Sequence, residues 1–132
     1  MDGESLMHVL IADDQPPLRS ALRLLLNYAL GVSAVDEAAN GCEALQLAAG
    51  VHPDVVLLDW ELPVRDGPAP LLSKLHAARP GLVVIALSGK PEARHAALEA
   101  GADAFVSKGD PPERLLEALN CTQGVCGQLV AA

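Results

Sequence analysis

The chain has 132 residues, of which 51% are hydrophobic and 20% are charged. This length suits one domain, and this composition lets a chain bury enough apolar surface to offset its loss of entropy, which excludes intrinsic disorder for the bulk of it. The formal net charge of −8 argues against binding to nucleic acid or anionic lipid, since both would repel the molecule as a whole.

Five short apolar runs predict five strands. In chain order they cover Met7–Ala12, Val32–Val35, Val55–Leu58, Leu82–Leu87 and Ala104–Val106. The third and fourth runs do not alternate with polar residues, which is typical of strands covered on both faces of a parallel sheet. The second strand region holds Ser33, Asp36 and Glu37, so we expect it at an edge of the sheet.

Segments with helical spacing of apolar residues follow each of these runs. Their apolar residues, in chain order, are Leu18, Leu22, Leu25 and Leu26; Leu45 and Ala48; Leu71, Leu72 and Leu75; Ala96, Ala97 and Ala100; and Leu115, Leu116 and Leu119. Pro68 and Pro70 are expected to delay or distort the third helix. Asp110 is expected to cap the fifth helix. Strict alternation of strands and helices predicts a single α/β domain, a doubly wound parallel sheet with right-handed crossovers.

We assign residues 1–120 to this domain and residues 121–132, which lack periodicity, to a tail or the start of a linker. No apolar run is long enough to span a bilayer and no signal peptide is evident, which indicates a cytoplasmic protein without membrane contact. Cys42, Cys121 and Cys126 have neither zinc-like nor redox spacing and are interpreted as free thiols.

Polar residues that could share one site directly follow the first, third, fourth and fifth predicted strands. Ligands of an open parallel sheet bind at the carboxyl ends of its strands, where the strand order reverses. The residues at those ends are Asp13 and Asp14, Asp59, Ser88 and Gly89, and Ser107 and Lys108. Taken singly, the acid pair could cap a helix, the serine could belong to a turn, and the lysine could be a solvated side chain. Their joint placement favours one common site.

Three carboxylates at one edge of a sheet require a cation. Carboxylates some 4 Å apart repel by ~4 kcal/mol at an effective dielectric constant near 20. Mg²⁺ prefers oxygen ligands and completes its coordination with water or phosphate, so Asp13, Asp14 and Asp59 indicate a magnesium-assisted phosphoryl site. Asp59 is the candidate nucleophile, which would form an acyl phosphate, while Ser88 and Lys108 would bind phosphoryl oxygens.

Four motifs in this order resemble those of the receiver domain of two-component response regulators, which is CheY-like in fold. They are Val9–Asp14, Leu57–Pro63 with Asp66 and Gly67, Ala86–Gly89, and Gly101–Lys108. The resemblance extends from about Met7 to Asn120 and is strongest to receivers of NarL/LuxR-type transcription factors. It implies a flavodoxin-like (βα)5 domain with the strand order 2-1-3-4-5.

The resemblance also implies a phosphoacceptor and its metal ligands. Asp59 would accept a phosphoryl group from a phosphohistidine of a sensor histidine kinase. Asp14, Asp59 and the backbone carbonyl of Glu61 would bind Mg²⁺, and Asp13 would act through a metal-bound water.

The resemblance further implies how phosphorylation would change the conformation of the domain. Lys108 would bond the phosphate, and Ser88 and Phe105 would form a switch pair, the hydroxyl moving toward the phosphate as the ring turns inward. We also expect Glu61 and Lys90, each two residues past a site residue, to pair across the mouth of the site and hinder attacking water.

The preferred hypothesis is therefore a phosphorylation-controlled switch that catalyses only its own phosphorylation and dephosphorylation. Its signalling surface would be the fourth helix, fifth strand and fifth helix, with output through a transcriptional effector domain, through protein contacts of a single-domain receiver, or through a homodimer formed on phosphorylation. One alternative is a magnesium-dependent aspartyl-phosphate phosphatase of the haloacid dehalogenase type, although its D-x-D motif is absent from the first strand. Another is a degenerate receiver that only binds proteins.

Overall fold

The computed structural model describes residues 7–29 and 31–122. Its strands are β1 (Met7–Ala12), β2 (Val32–Ala38), β3 (Val55–Asp59), β4 (Val83–Ser88) and β5 (Ala104–Ser107). Its helices are α1 (Pro16–Asn27), α2 (Gly41–Gly50), α3 (Pro68–Ala78), α4 (Arg94–Glu99) and α5 (Pro112–Thr122). A 3₁₀ turn, Pro91–Ala93, precedes α4.

All strand pairs are parallel, and the sheet order is β2-β1-β3-β4-β5. This order confirms the predicted fold class and places β2 at an edge, as its polar residues indicated. The order reverses between β1 and β3, so the carboxyl ends of these two strands flank the position where such sheets bind ligands.

The helices cover both faces of the sheet. One apolar cluster packs α2, α3 and α4 against one face, through residues that include Ala48, Leu72 and Ala97. The other packs α1 and α5 against the opposite face, through residues that include Leu26 and Leu119. Because successive strand residues point to opposite faces, each central strand contributes to both clusters, which explains why its sequence is continuously apolar.

β2 is longer than the sequence predicted, ending at Ala38 rather than Val35. The acids that were expected to mark an edge lie within the strand, and each has a partner from a neighbouring element. Asp36 contacts the imidazole of His8, and the Glu37 carboxylate accepts hydrogen bonds from two arginines of α1. The strand continues beyond its apolar run because Asp36, Glu37 and Ala38 still pair with β1.

The expectation that two prolines would delay or distort α3 is wrong. The helix begins at Pro68 itself, since proline has the backbone angle of a first helical turn and the N–H it lacks has no partner there. Asp66 (φ 69°) and Gly67 (φ 86°) adopt left-handed conformations that turn the chain into the helix. Glycine pays no steric penalty for this conformation, and aspartate is among the residues that tolerate it best.

Asp110 does not have the predicted position of a helix cap. Its carboxylate accepts a hydrogen bond from the backbone N–H of Ser107 at 3.1 Å, and its own N–H donates to the Ser107 carbonyl at 2.9 Å. It thus closes the turn after β5, and α5 begins two residues later, at Pro112.

The last helix continues to Thr122, two residues past the boundary expected at Asn120, and residues 123–132 lie outside the described part. Cys121 is disulfide-bonded, so the interpretation as a free thiol is wrong for this residue, whereas Cys42 is free and exposed. Within the described residues, no helix is long and apolar enough to cross a membrane.

Candidate functional site

Four strands deliver polar side chains to one edge of the sheet. Asp13 follows β1, Asp59 ends β3, Ser88 ends β4, and Lys108 follows β5. The backbone N–H of Lys108 donates to the Ser88 carbonyl at 2.8 Å, which fixes the start of the loop after β5 against the end of β4. The sheet register therefore positions these residues, and the side chains complete the site.

The three aspartates predicted to form a cluster lie together. Asp13, Asp14 and Asp59 each offer a carboxylate oxygen, and these oxygens lie within 4.8 Å of one another. Asp13 and Asp59 are only 1% and 3% exposed, whereas Asp14 is exposed. The Asp13 carboxylate also accepts a hydrogen bond from the Gln15 N–H at 2.8 Å, which orients it at the start of α1.

Lys108 joins two of these acids. Its Nζ lies 3.0 Å from Oδ1 of Asp59 and 3.3 Å from Oδ2 of Asp13, and its side chain is 22% exposed. Asp59 Oδ1 additionally accepts the Glu61 N–H at 3.0 Å. One ammonium group thus contacts two buried carboxylates. Its single charge is too small to neutralise both, so the cluster keeps an excess of negative charge.

Burial and the neighbouring charges shift the proton affinities of both partners. Burial raises the pKa of Asp59, and the hydrogen bond from Lys108 offsets only part of that effect, while the neighbouring Asp13 charge adds to it. Burial alone would lower the pKa of Lys108, but its hydrogen bond and attraction to Asp59, together with Asp13, outweigh burial and raise it. The ammonium is thus held charged, while ionised Asp59 remains short of compensation.

This shortfall and the ligand chemistry fit a hard divalent cation. Three carboxylates within reach of one point, two of them buried, offer the oxygen ligands that Mg²⁺ prefers. A second positive charge at this point would also lower the cost of ionising Asp59. The residues present are therefore suited to hold magnesium.

Ser88 has a partner that the sequence did not predict. Its hydroxyl donates to Oε2 of Glu61 at 2.5 Å, and the Gly89 N–H donates to Oε1 of the same carboxylate at 3.2 Å. The expected pairing of Glu61 with Lys90 is therefore wrong: among the described residues the carboxylate turns inward to Ser88 and Gly89, and only the backbone N–H of Lys90 approaches, bonding the Ser88 Oγ at 2.9 Å.

Phe105, the expected partner of Ser88 in switching, lies on β5 at the edge of the sheet. Its ring is half-buried against the cluster formed by α2, α3 and α4. The guanidinium of Arg94, the first residue of α4, lies 6.0 Å from the ring centroid, at the limit of a cation–π contact. The aromatic ring therefore links β5 to α4.

Sequence reasoning also missed an arginine that supports the acidic cluster. Arg19 of α1 donates to the backbone carbonyl of Asp13 at 2.7 Å and to the Glu37 carboxylate at 2.9 Å. Arg23, one helical turn later, binds the same carboxylate, and its hydrogen bond is the main cause that lowers the pKa of Glu37. The i, i+4 spacing of the two arginines was the available signal.

Comparison with known proteins decides the family. The model of the response regulator receiver domain matches residues 9–120. The chain belongs to the response regulator receiver family. This membership selects the receiver interpretation over the phosphatase of the haloacid dehalogenase type, and it agrees with the strand order of the sheet.

Individual relatives narrow the likeness to the NarL/LuxR group. The chain is 34% identical over 131 residues to the nitrate/nitrite response regulator NarL of Escherichia coli K12, covering 98% of this chain and 60% of that protein. It is 40% identical over 112 residues to a putative transcriptional regulator of Pseudomonas aeruginosa, covering 83% and 53%. The receiver thus spans little more than half the length of these curated relatives.

A solved structure shows the same architecture. A CheY-like response regulator receiver domain from Methanospirillum hungatei superimposes with a TM-score of 0.78 at 31% identity, covering 94% of this receiver and 98% of that chain. The agreement extends over almost the whole length of both chains, so the fold is that of a receiver domain.

Proposed function

We propose that this receiver accepts a phosphoryl group on Asp59 from a phosphohistidine of a sensor histidine kinase. The observation that carries the proposal is the contact of one lysine with two buried aspartates, 3.0 Å and 3.3 Å from Lys108 Nζ, at the edge where the strand order reverses. A buried carboxylate beside an ammonium group and further acids combines a nucleophile with the charges that phosphoryl transfer needs.

In the proposed reaction an oxygen of Asp59 forms a bond to phosphorus as the phosphorus–nitrogen bond of the donor breaks. The imidazole leaves with the bonding electron pair and takes up a proton. Oδ1 already accepts hydrogen bonds from Lys108 and the Glu61 N–H, whereas Oδ2 accepts none from the described residues. Oδ2 is therefore the oxygen available for the new bond.

Asp13, Asp14 and Asp59, with the backbone carbonyl of Glu61, are proposed to hold Mg²⁺, Asp13 acting through a water ligand. The ion would supply positive charge that neutralises the acids and binds a phosphoryl oxygen. Lys108 would move from the carboxylates of Asp13 and Asp59 to another phosphoryl oxygen, since its long side chain already reaches the site.

The phosphoryl group would also attract the Ser88 hydroxyl, which ends β4 at the same edge. Phe105, on the adjacent strand, would then turn further inward and change its contact with Arg94. Such a shift between two pre-existing arrangements would alter the surface formed by α4, β5 and α5. Phosphorylation of Asp59 would thus change the conformation of a surface that lies away from the acidic cluster.

We propose that the output is regulation of transcription through an effector domain, because the chain spans only 60% and 53% of two curated relatives, one of them a putative transcriptional regulator. Dimerisation on phosphorylation is the proposed route from the switched surface to that output. A receiver acting by protein contacts alone is the alternative.

The test is incubation with Mg²⁺ and acetyl phosphate, followed by intact-mass spectrometry. We expect one phosphoryl group on the wild-type protein and none on Asp59→Asn. Asp66→Asn is the matched control, because Asp66 is exposed and asparagine tolerates its left-handed backbone. Labelling that persists in Asp59→Asn, or that is lost equally in both variants, would contradict the assignment.

A further inference from the structure

The Glu61 carboxylate occupies a two-donor cradle at the end of β4. Its Oε2 accepts the hydroxyl of Ser88 at 2.5 Å, and its Oε1 accepts the backbone N–H of Gly89 at 3.2 Å. A phosphoryl group would be bound in the same way, with two of its oxygens accepting from two converging donors. The side chain therefore stands where the proposed function requires phosphoryl oxygens.

The donors of this cradle cannot serve two anions at once. A serine hydroxyl has one hydrogen to donate, and the Ser88 Oγ already accepts the Lys90 N–H at 2.9 Å, which directs its hydrogen to Glu61. The Gly89 N–H likewise has a single hydrogen. Either Glu61 or a phosphoryl group can hold these donors, and each must exclude the other.

Glu61 is tethered close to the phosphoacceptor. It lies two residues after Asp59, and its N–H donates to Asp59 Oδ1 at 3.0 Å. A side chain fixed on the same loop competes as an intramolecular ligand, at a high effective concentration. Nothing else among the described residues holds the Glu61 carboxylate, and the residue is exposed, so it can leave into solvent.

The charges at this edge favour that exchange on phosphorylation. The acidic cluster contains Asp13, Asp14 and Asp59, with one ammonium group, Lys108, in contact. A phosphoryl group on Asp59 adds negative charge two residues before Glu61, and like charges repel. The carboxylate would then be displaced from Ser88 and Gly89 rather than share them.

We propose that Glu61 is an internal competitor of the phosphoryl group, holding Ser88 and Gly89 in the unphosphorylated receiver and released when Asp59 is modified. The proposal rests on the proposed function of Asp59. It makes Glu61 a positioning residue that sets how strongly the site takes up a phosphoryl group, and it assigns the resting position of the Ser88 hydroxyl to this contact.

The first test measures affinity for beryllofluoride, a phosphoryl analogue, in the presence of Mg²⁺. Trp60 is the only tryptophan and adjoins Asp59, so its fluorescence can follow the titration, with calorimetry as a second readout. Glu61→Ala should bind about five- to tenfold more tightly than the wild type, since two hydrogen bonds to a carboxylate no longer compete. Glu61→Gln should show about a twofold gain, since an amide oxygen is a weaker acceptor.

Two further variants separate competition from a general charge effect. Glu92→Ala removes the same charge from an exposed glutamate with no side-chain contact near the cradle and should leave the affinity within about twofold. In a Ser88→Ala background the gain from Glu61→Ala should shrink to about twofold, because one of the two contested donors is gone. Equal gains in both backgrounds would contradict a shared cradle.

The second test requires no ligand. The amide proton resonance of Gly89 should move upfield in Glu61→Ala, as the hydrogen bond to a carboxylate is lost, and should not move in Glu92→Ala. An unchanged resonance, or an affinity of Glu61→Ala equal to or weaker than that of the wild type, would overturn the proposal. If the wild type and Asp59→Asn both fail to bind beryllofluoride, the proposed function itself falls; if binding depends on Asp59 but not on Glu61, only this inference falls.

Discussion

Acids lie at both ends of the same parallel sheet, but their surroundings are opposite. At the amino ends, Asp54 accepts the His8 N–H at 2.9 Å and Asp103 accepts the Val84 N–H at 2.8 Å, and their side chains are 49% and 48% exposed. At the carboxyl ends, Asp13 and Asp59 are almost fully buried and share one lysine.

This difference distinguishes acids that stabilise the fold from acids whose arrangement indicates a functional site. At the amino ends each carboxylate satisfies a backbone donor at the start of a neighbouring strand, which a structural role fully explains. At the carboxyl ends several carboxylates converge at a cost in free energy that the described residues only partly offset. Residues held at such a cost are expected at functional sites.

The largest expected effect on stability comes from removing the shared lysine. Lys108→Met should lower the free energy of unfolding by about 2 kcal/mol at neutral pH, because it leaves two buried carboxylates without their cation. Arg79→Met is the control at the other edge: it removes a cation 3.8 Å from the exposed Asp54 and a hydrogen bond to the Pro53 carbonyl, and should cost about 1 kcal/mol. Urea denaturation followed by circular dichroism measures both, and equal losses would remove the distinction between the two edges.

Neutralising a clustered acid should have the opposite sign. Asp59→Asn should raise the free energy of unfolding by about 1 kcal/mol at pH 7 without divalent cations, because it removes a buried charge, and with it the repulsion by Asp13. Since burial raises the pKa of Asp59 in the folded protein, its ionised form is disfavoured there, and the penalty disappears as the pH falls through the raised pKa toward 3.8. The advantage of Asp59→Asn should therefore shrink between neutral and acidic pH. An advantage that grows on acidification would contradict this sign.

The smallest effect is expected at the amino ends. Asp54→Asn keeps an oxygen for the His8 N–H but loses the attraction to Arg79, so it should lower the free energy of unfolding by about 0.5 kcal/mol. The measurement is the same denaturation series, with added salt expected to reduce the effect. A stabilisation like that of Asp59→Asn would show that the acids at the two edges do not differ in kind.

Much of the fold could be predicted because its signals are local. Apolar runs of four to six residues that helical stripes separate are typical of strands buried on both faces, and β3 and β4 have this form. Their polar end residues, such as Asp59, could then be placed at one edge without knowing any side-chain position. The rules of parallel sheets carry this inference from sequence to site.

What could not be predicted depends on contacts between distant elements. β2 pairs with β1 as far as Ala38, and arginines of α1 reach Glu37, neither of which the spacing within the strand reveals. The direction of the Glu61 side chain depends on a loop that brings it to Ser88, 27 residues later in the chain. The position of Asp110 depends on the turn after β5, in which its carboxylate binds the Ser107 N–H instead of capping the helix.

The most direct test of the account is to locate the modified residue. After phosphorylation with acetyl phosphate and Mg²⁺, reduction with borohydride converts an aspartyl phosphate to homoserine, which peptide mass spectrometry can place in the sequence. We expect conversion at position 59 and at no other acid of the cluster. Conversion at Asp13 or Asp14, or a phosphoryl group that borohydride leaves intact, would contradict it.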